Sequence, residues 1–224
     1  MGSKASLLAF ARETPRAALR PGLVADEAEA RLLVSEVLAL EGVEPAGPRV
    51  LDGAVRPELG MVCAGRFADV DVLTSQDLGR ARPSELAEYI PRSAHPRAFA
   101  VAMDSAVDWM GFALWEHGTL VRSLSLAPDE GIIEQIGNPL PVERDFWAEQ
   151  HPVVHAPGYP LPFHPLELGN EVLRVFFGFV LEGRVDDDCF HPEDVTLSAF
   201  READQQVRQA ELRAAARRMV RVNK

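Results

Sequence analysis

The run WMGFALWEHGTLVRSLSL, residues 109–126, constrains the fold more than any other part of the chain. Its centre, Glu116-His117-Gly118-Thr119, places a His-Gly pair between two strand-like runs. A two-residue hairpin loop needs positive φ at its central positions, which glycine adopts without a steric penalty. The turn predicts a register: Glu116 faces Thr119, Trp115 faces Leu120, Ala113 faces Arg122, Gly111 faces Leu124 and Trp109 faces Leu126. Because side chains alternate across a sheet, one face then carries Trp109, Gly111, Ala113 and Trp115 with Leu120, Arg122, Leu124 and Leu126. Both faces are largely apolar, so the hairpin is expected in the middle of its sheet.

Arg122 is the exception among those apolar residues. A buried cation requires a partner. It is either half of an internal ion pair, a snorkelling side chain at the sheet's edge, or an anion-binding arginine stacked on indole rings in space left by Gly111 and Ala113. The candidate ligand-binding set is therefore Arg122, Trp109, Trp115 and Asp104. Asp104, Glu134 and Glu167, in that order, are the expected carboxylate partners. A small anionic ligand is the corresponding guest.

The rest of the chain supplies strands and helices around this hairpin. Residues 4–11 read as a first strand. Asp26 caps a helix expected to run to about Leu40, with Leu32, Leu33 and Val37 at helical spacing. Residues 43–59 read as loop with one short strand near Val50. Short strands are expected at 61–64 and 69–74, and a short helix from Pro83 through Ile90. Ile132, Ile133 and Ile136 add apolar anchors, and 142–149 predicts a short helix with Phe146 and Trp147 inward. The clearest helix is 165–182, with Leu173, Phe176, Phe177 and Val180 forming an apolar stripe and Gly183 ending it. A last strand is expected at 195–200. The sum is a single α+β domain over residues 1–200, a mostly antiparallel sheet with packed helices.

Residues 201–224 differ in character, with seven basic side chains against Glu202, Asp204 and Glu211. They predict a basic helical tail, either an exposed terminal helix or an arm for an acidic protein partner.

Charge and cysteine content narrow the function classes. The formal net charge is −11 over 224 residues, which argues against nucleic acid as a partner because phosphate binding needs Lys and Arg. No stretch approaches about 20 uninterrupted apolar residues, so no membrane span is expected, and no secretory signal is read at the N-terminus. Two widely separated cysteines, Cys63 and Cys189, fit reduced thiols in a cytoplasmic setting.

Chemistry-bearing clusters are few. His151, His155 and His164 lie close together, but Pro152 and Pro157 interrupt any helix that would pair the first two, so no metal site is expected. Asp186-Asp187-Asp188 reads as a solvated loop, and no cofactor motif is present. In Pro162-Phe163-His164-Pro165-Leu166-Glu167, Pro165 fits the first helical position. His164 fits the cap, and Glu167 is placed to reach back to the cap N–H. The same six residues could instead offer His164 and Glu167 as an acid–base pair at a cleft mouth.

Two segments, VDWMGFALWEHGTLVRSLSLAPDEGIIEQIG (107–137) and YPLPFHPLELGNEVLRVFFGFVLEG (159–183), resemble a family of bacterial proteins from high-GC actinobacteria, a domain of unknown function. The opening MGSKASLLAF is similar too. The resemblance covers roughly residues 1–200 and implies a cytosolic actinobacterial protein, with no chemistry attached. Two function classes stay open: a non-catalytic binding or interaction module (a regulator or immunity-type protein), and a hydrolase or transferase using His164 with nearby carboxylates.

Overall fold

A computed structural model describes residues 4–153, 158–183 and 186–202. Its framework is one antiparallel sheet of nine strands: β1 (Lys4–Ala11), β2 (Glu44–Val50), β3 (Met61–Arg66), β4 (Val70–Thr74), β5 (Arg97–Asp104), β6 (Trp109–Glu116), β7 (Thr119–Ala127), β8 (Gly131–Ile136) and β9 (Thr196–Arg201). The spatial order is β2-β9-β3-β4-β1-β5-β6-β7-β8. The fold is α+β, as the alternating strands and the amphipathic helix required. The expected tail lies almost wholly outside the described residues, and so does His155.

The sheet buries both faces. β1 shows how: Leu7, Ala9 and Ala11 join one core, while Leu8 and Phe10 join the other. Three short helices, α1 (Pro15–Ala18), α3 (Leu51–Ala54) and α4 (Arg144–Trp147), accompany the longer α2 (Glu27–Leu38) and α5 (Pro165–Phe177). Helix α2 covers one face. The Asp26 carboxylate accepts from the N–H groups of Ala28 and Glu29, and Ala30, Leu33, Val34 and Val37 are buried. Leu32, expected inward, is half exposed, since it lies off the stripe these four residues define. Helix α5 covers the opposite face. Gly169 admits Met103 and Met110 to its backbone; a Cβ there would come within 2.3 Å of the Met103 sulfur. The Phe176 ring meets Phe99 and Phe112 edge-on, a favoured aromatic geometry.

Three expectations are corrected. Helix α5 ends at Phe177 rather than 182, because Gly178 takes the left-handed conformation (φ 83°) and its N–H closes onto Leu173 and Arg174. Residues 44–50, read mainly as loop, form edge strand β2. The third correction concerns the hairpin. Its turn forms as expected, with positive φ at His117 and Gly118, and Trp115 does face Leu120. Beyond that a bulge shifts the pairing by one residue: Leu114 faces Arg122, Ala113 faces Ser123 and Gly111 faces Ser125. A one-residue slip moves every later side chain to the other face. Arg122, Leu124 and Leu126 therefore lie on the α5 face, and Ser123 and Ser125 on the α2 face.

Candidate functional site

The register shift separates the residues proposed to meet around Arg122. Arg122 is fully buried on the α5 face. Its partner is Glu143, not Asp104, Glu134 or Glu167. Glu143 sits in the 3-10 turn Pro141–Glu143 that follows β8. Arg122 Nε and Nη2 donate to the two carboxylate oxygens at 2.9 and 2.6 Å, and Nη1 donates to the carbonyls of Ile136 and Gly137. The carboxylate also accepts from Leu140 N–H and from Trp147 Nε1. A bidentate Arg–carboxylate pair with every oxygen doubly bonded is a saturated internal pair.

The other three members lie elsewhere. Trp115 is buried against the α2 face, and its Nε1 meets no acceptor among the described residues. Trp109 donates to Ser125 Oγ at 2.9 Å, and its ring, with Pro83, fills the space above Gly111. Asp104 ends β5, bound to Lys4 (2.8 Å) and Arg56 (2.9 Å). Burial alone would raise its pKa, but hydrogen bonds from Lys4, Ala106 N–H and Arg56 outweigh it and hold the carboxyl at about 2.

His164 and Glu167 border an open groove of about 790 Å³ along α5, with Phe146, His151, Asn170 and Arg174. His164 is the helix cap: its Nδ1 accepts from Leu166 N–H at 3.3 Å. A neutral ring then carries its proton on Nε2, which lies 3.7 Å from Asp108 Oδ2. Glu167 does not reach back to the cap, and the carboxylate nearest His164 is that of Asp108.

A second cluster, absent from the sequence reading, has more of the marks of a site. The β3–β4 hairpin sets Arg66 directly opposite Asp71. Asp71 is buried between Val70 and Val72 on the α2 face, where its neighbour across β1 is Phe10. Arg66 Nε lies 3.5 Å from Oδ1 and His95 Nε2 lies 3.8 Å from Oδ2. The Arg66 contact is an ion-pair separation, the His95 contact becomes one only when the ring is protonated, and Oδ1 makes no well-formed hydrogen bond. Burial pushes the carboxyl up from its ordinary value, opposed by Arg66 and His95. Arg66 is also claimed by Glu36 and Glu29, which pulls it away from Asp71. The cluster opens into a cleft of about 410 Å³ bordered by Glu36, Arg92, Ser93 and His95. A perturbed, incompletely bonded carboxylate in a cleft is a mark of a functional site. The available signal in the sequence was an aspartate inside Val70-Asp71-Val72-Leu73, with an arginine across a three-residue turn.

Among the described residues, no group of three or more His, Cys, Asp or Glu side chains is arranged to hold a metal ion, and no helix is long and apolar enough to cross a membrane. Neither the curated proteins nor the solved structures contain a match to this chain. A family model described as "Family of unknown function (DUF6928)" matches residues 5–200, and the chain belongs to that family.

Proposed function

We propose that the chain is a non-catalytic cytosolic binding module whose ligand site is the cleft at Asp71, Arg66 and His95. The observation that carries this reading is Asp71 Oδ1, a buried acceptor with no well-formed hydrogen bond, at the wall of an open cleft. Buried polar atoms are seldom left in that state, and a guest's hydroxyl or amine would complete it. Arg92 borders the same cleft. One of its nitrogens donates to the Val37 carbonyl, and the others meet no acceptor among the described residues, so an anionic group on the guest has a place beside it. A cytosolic setting is supported by two free thiols, Cys63 and Cys189. The basic residues 201–224 are offered to an acidic protein partner, as their charge suggests.

The test is a thermal-shift screen of amino acids, sugars, nucleotides and small organic acids against the wild type and Asp71→Asn. A compound should raise the wild-type midpoint and leave that of the variant unmoved. If nothing shifts the wild type, or hits stabilise both proteins equally, the reading fails.

A second reading, a hydrolase or transferase, is favoured by His164, which borders the open groove and whose Nε2 lies 3.7 Å from Asp108 Oδ2. His164→Asn separates it from a capping role, since Asn caps helices well but cannot serve as a base. Turnover of generic ester, phosphoester or glycoside substrates, lost in a stably folded His164→Asn, would support it. No turnover by the wild type would end it.

A further inference from the structure

The rim of the Asp71 cleft closes on itself. Arg66 lies between Asp71 and Glu36, and the carbonyl of Val37, the residue after Glu36, accepts from Arg92 Nη1 at 3.0 Å. Ser93 follows Arg92, and its hydroxyl oxygen accepts from His95 N–H at 3.2 Å. His95 Nε2 returns to Asp71 at 3.8 Å. Around this ring, Arg66 and Glu36-Val37 separate Asp71 from Arg92 on one side, and His95 and Ser93 separate them on the other. The cleft these residues border holds about 410 Å³, at the small end of ligand pockets.

Internal pairing removes most of the charge on that rim. Arg66 is matched to Glu36 and Glu29. It approaches Asp71 only through Nε, at 3.5 Å, without a well-formed bond to Oδ1. One acceptor and one cation are left. The acceptor is Asp71, buried and bordering the cleft. The cation is Arg92, held over the Tyr89 ring (5.9 Å to the centroid) and by the Val37 carbonyl, with its other nitrogens meeting no acceptor among the described residues. A guest with a single charge fits this pair badly. An anion drawn to Arg92 would share a small cleft with the Asp71 carboxylate, and a simple amine drawn to Asp71 would gain nothing from Arg92. Electrostatic complementarity across both groups favours a guest that carries both signs.

We infer that the guest is a small zwitterion of the amino-acid class, its ammonium on Asp71 and its carboxylate on Arg92. This rests on the reading of the cleft as a ligand site and names what fills it. The ammonium donates to the unmet Asp71 oxygen, and its charge favours the ionised carboxylate. The guest's carboxylate accepts from the free N–H groups of Arg92, whose planar fork suits it. It also accepts from the Ser93 hydroxyl, whose proton is not used in accepting from His95. Phe67, Ala68 and Ala94 border the rest of the cleft, so the guest's side chain is uncharged: a third charge would find no unmatched partner there.

Calorimetric titration of the full chain tests this, using α-amino acids with uncharged side chains and the N-acetyl and methyl-ester forms of each one that binds. A free amino acid should bind the wild type. Loss of either charge should weaken it about tenfold or more, the contribution of one charge-assisted hydrogen bond. The two losses should map onto two residues. The N-acetyl form should bind the wild type and Asp71→Asn alike, and the methyl ester should bind the wild type and Arg92→Gln alike. Should either variant not fold, the three forms on the wild type decide. Acetyl or ester forms that bind as tightly as the free amino acid overturn the assignment. A sugar, nucleotide or organic acid that binds through Asp71, while no amino acid does, also overturns it and leaves the cleft as a ligand site. No ligand of any class, or amino acids that bind Asp71→Asn as well as the wild type, ends both.

Discussion

Two charged residues are buried on opposite faces of the same sheet, and their surroundings differ in one respect. Arg122 on β7 is close to saturated: four of its five N–H groups are placed, two on Glu143 and two on backbone carbonyls, and its partner is itself held by Leu140 and Trp147. Asp71 on β4 is held only by a looser ion pair with Arg66 and a 3.8 Å approach of His95, and one of its oxygens lacks a well-formed bond. Burial of charge is costly in both places. At Arg122 the geometry offsets that cost and produces a closed structural element. At Asp71 it does so incompletely, beside an open cleft. Saturation, rather than burial, is what separates an internal strut from a candidate site.

The largest expected effect breaks the saturated side. Arg122→Met strands the Glu143 carboxylate at zero exposure, and removing one member of a buried pair costs about 3–5 kcal/mol. Glu143→Leu should cost a similar amount. The double variant should recover most of the loss, because a well-packed apolar pair is often as stable as a buried ionic one. Urea unfolding of the four proteins measures this cycle. Single variants within about 0.5 kcal/mol of wild type, the range of ordinary surface changes, would mean that the pair is not the strut described. A smaller change tests the support around the pair. Trp147→Phe removes one charge-assisted donor to Glu143 and should cost about 1–2 kcal/mol.

Asp104 sharpens the comparison from the other direction, as a partly buried carboxylate well supplied with donors. Its pKa is depressed to about 2 from an ordinary 3.8. The unfolded chain therefore binds its proton first as pH falls. The stability Asp104 contributes is present above 3.8 and is lost as pH falls toward about 2. Asp104→Asn should flatten the acid limb of the stability profile in that window. An unchanged acid limb would show that Lys4 and Arg56 do not hold the carboxylate.

Much of the framework was legible in the sequence because local rules determine it. The His117-Gly118 turn, the Asp26 cap, the His164-Pro165 entry to α5 and most of the strands follow from turn chemistry, capping and alternation. The misses lie where tertiary partners decide. The bulge after Trp115 turns Ser123 and Ser125 toward Glu134 and Trp109, and nothing in residues 109–126 specifies those partners. Glu143 was overlooked for the same reason: a glutamate in a Pro-Val-Glu turn reads as an ordinary helix start until Arg122 is known to face it. Ile132 and Ile136 were read as core by composition, yet the sheet order makes their strand an edge. Asp71 was legible in part, since an aspartate amid valines and leucine breaks an apolar strand, but its unmet oxygen depends on how Glu36 and Glu29 compete for Arg66.

The smallest expected effect, and the one whose sign carries the argument, is at Asp71. Burial raises its pKa, so the folded state holds the proton at pH values where the unfolded state has released it. Stability therefore falls as pH rises through the interval between the ordinary carboxyl value and the raised one. Above that interval the ionised carboxylate is a net cost, reduced but not removed by Arg66 and His95. Asp71→Asn keeps the shape, removes the charge and leaves Arg66 its contacts with Glu29 and Glu36. At neutral pH the variant should therefore match or exceed the wild type, and the difference should disappear in acid. Thermal midpoints measured on both sides of the interval give the sign. A loss of several kcal/mol at neutral pH would mean that Asp71 is as saturated as Arg122, and the contrast between the two faces would fail.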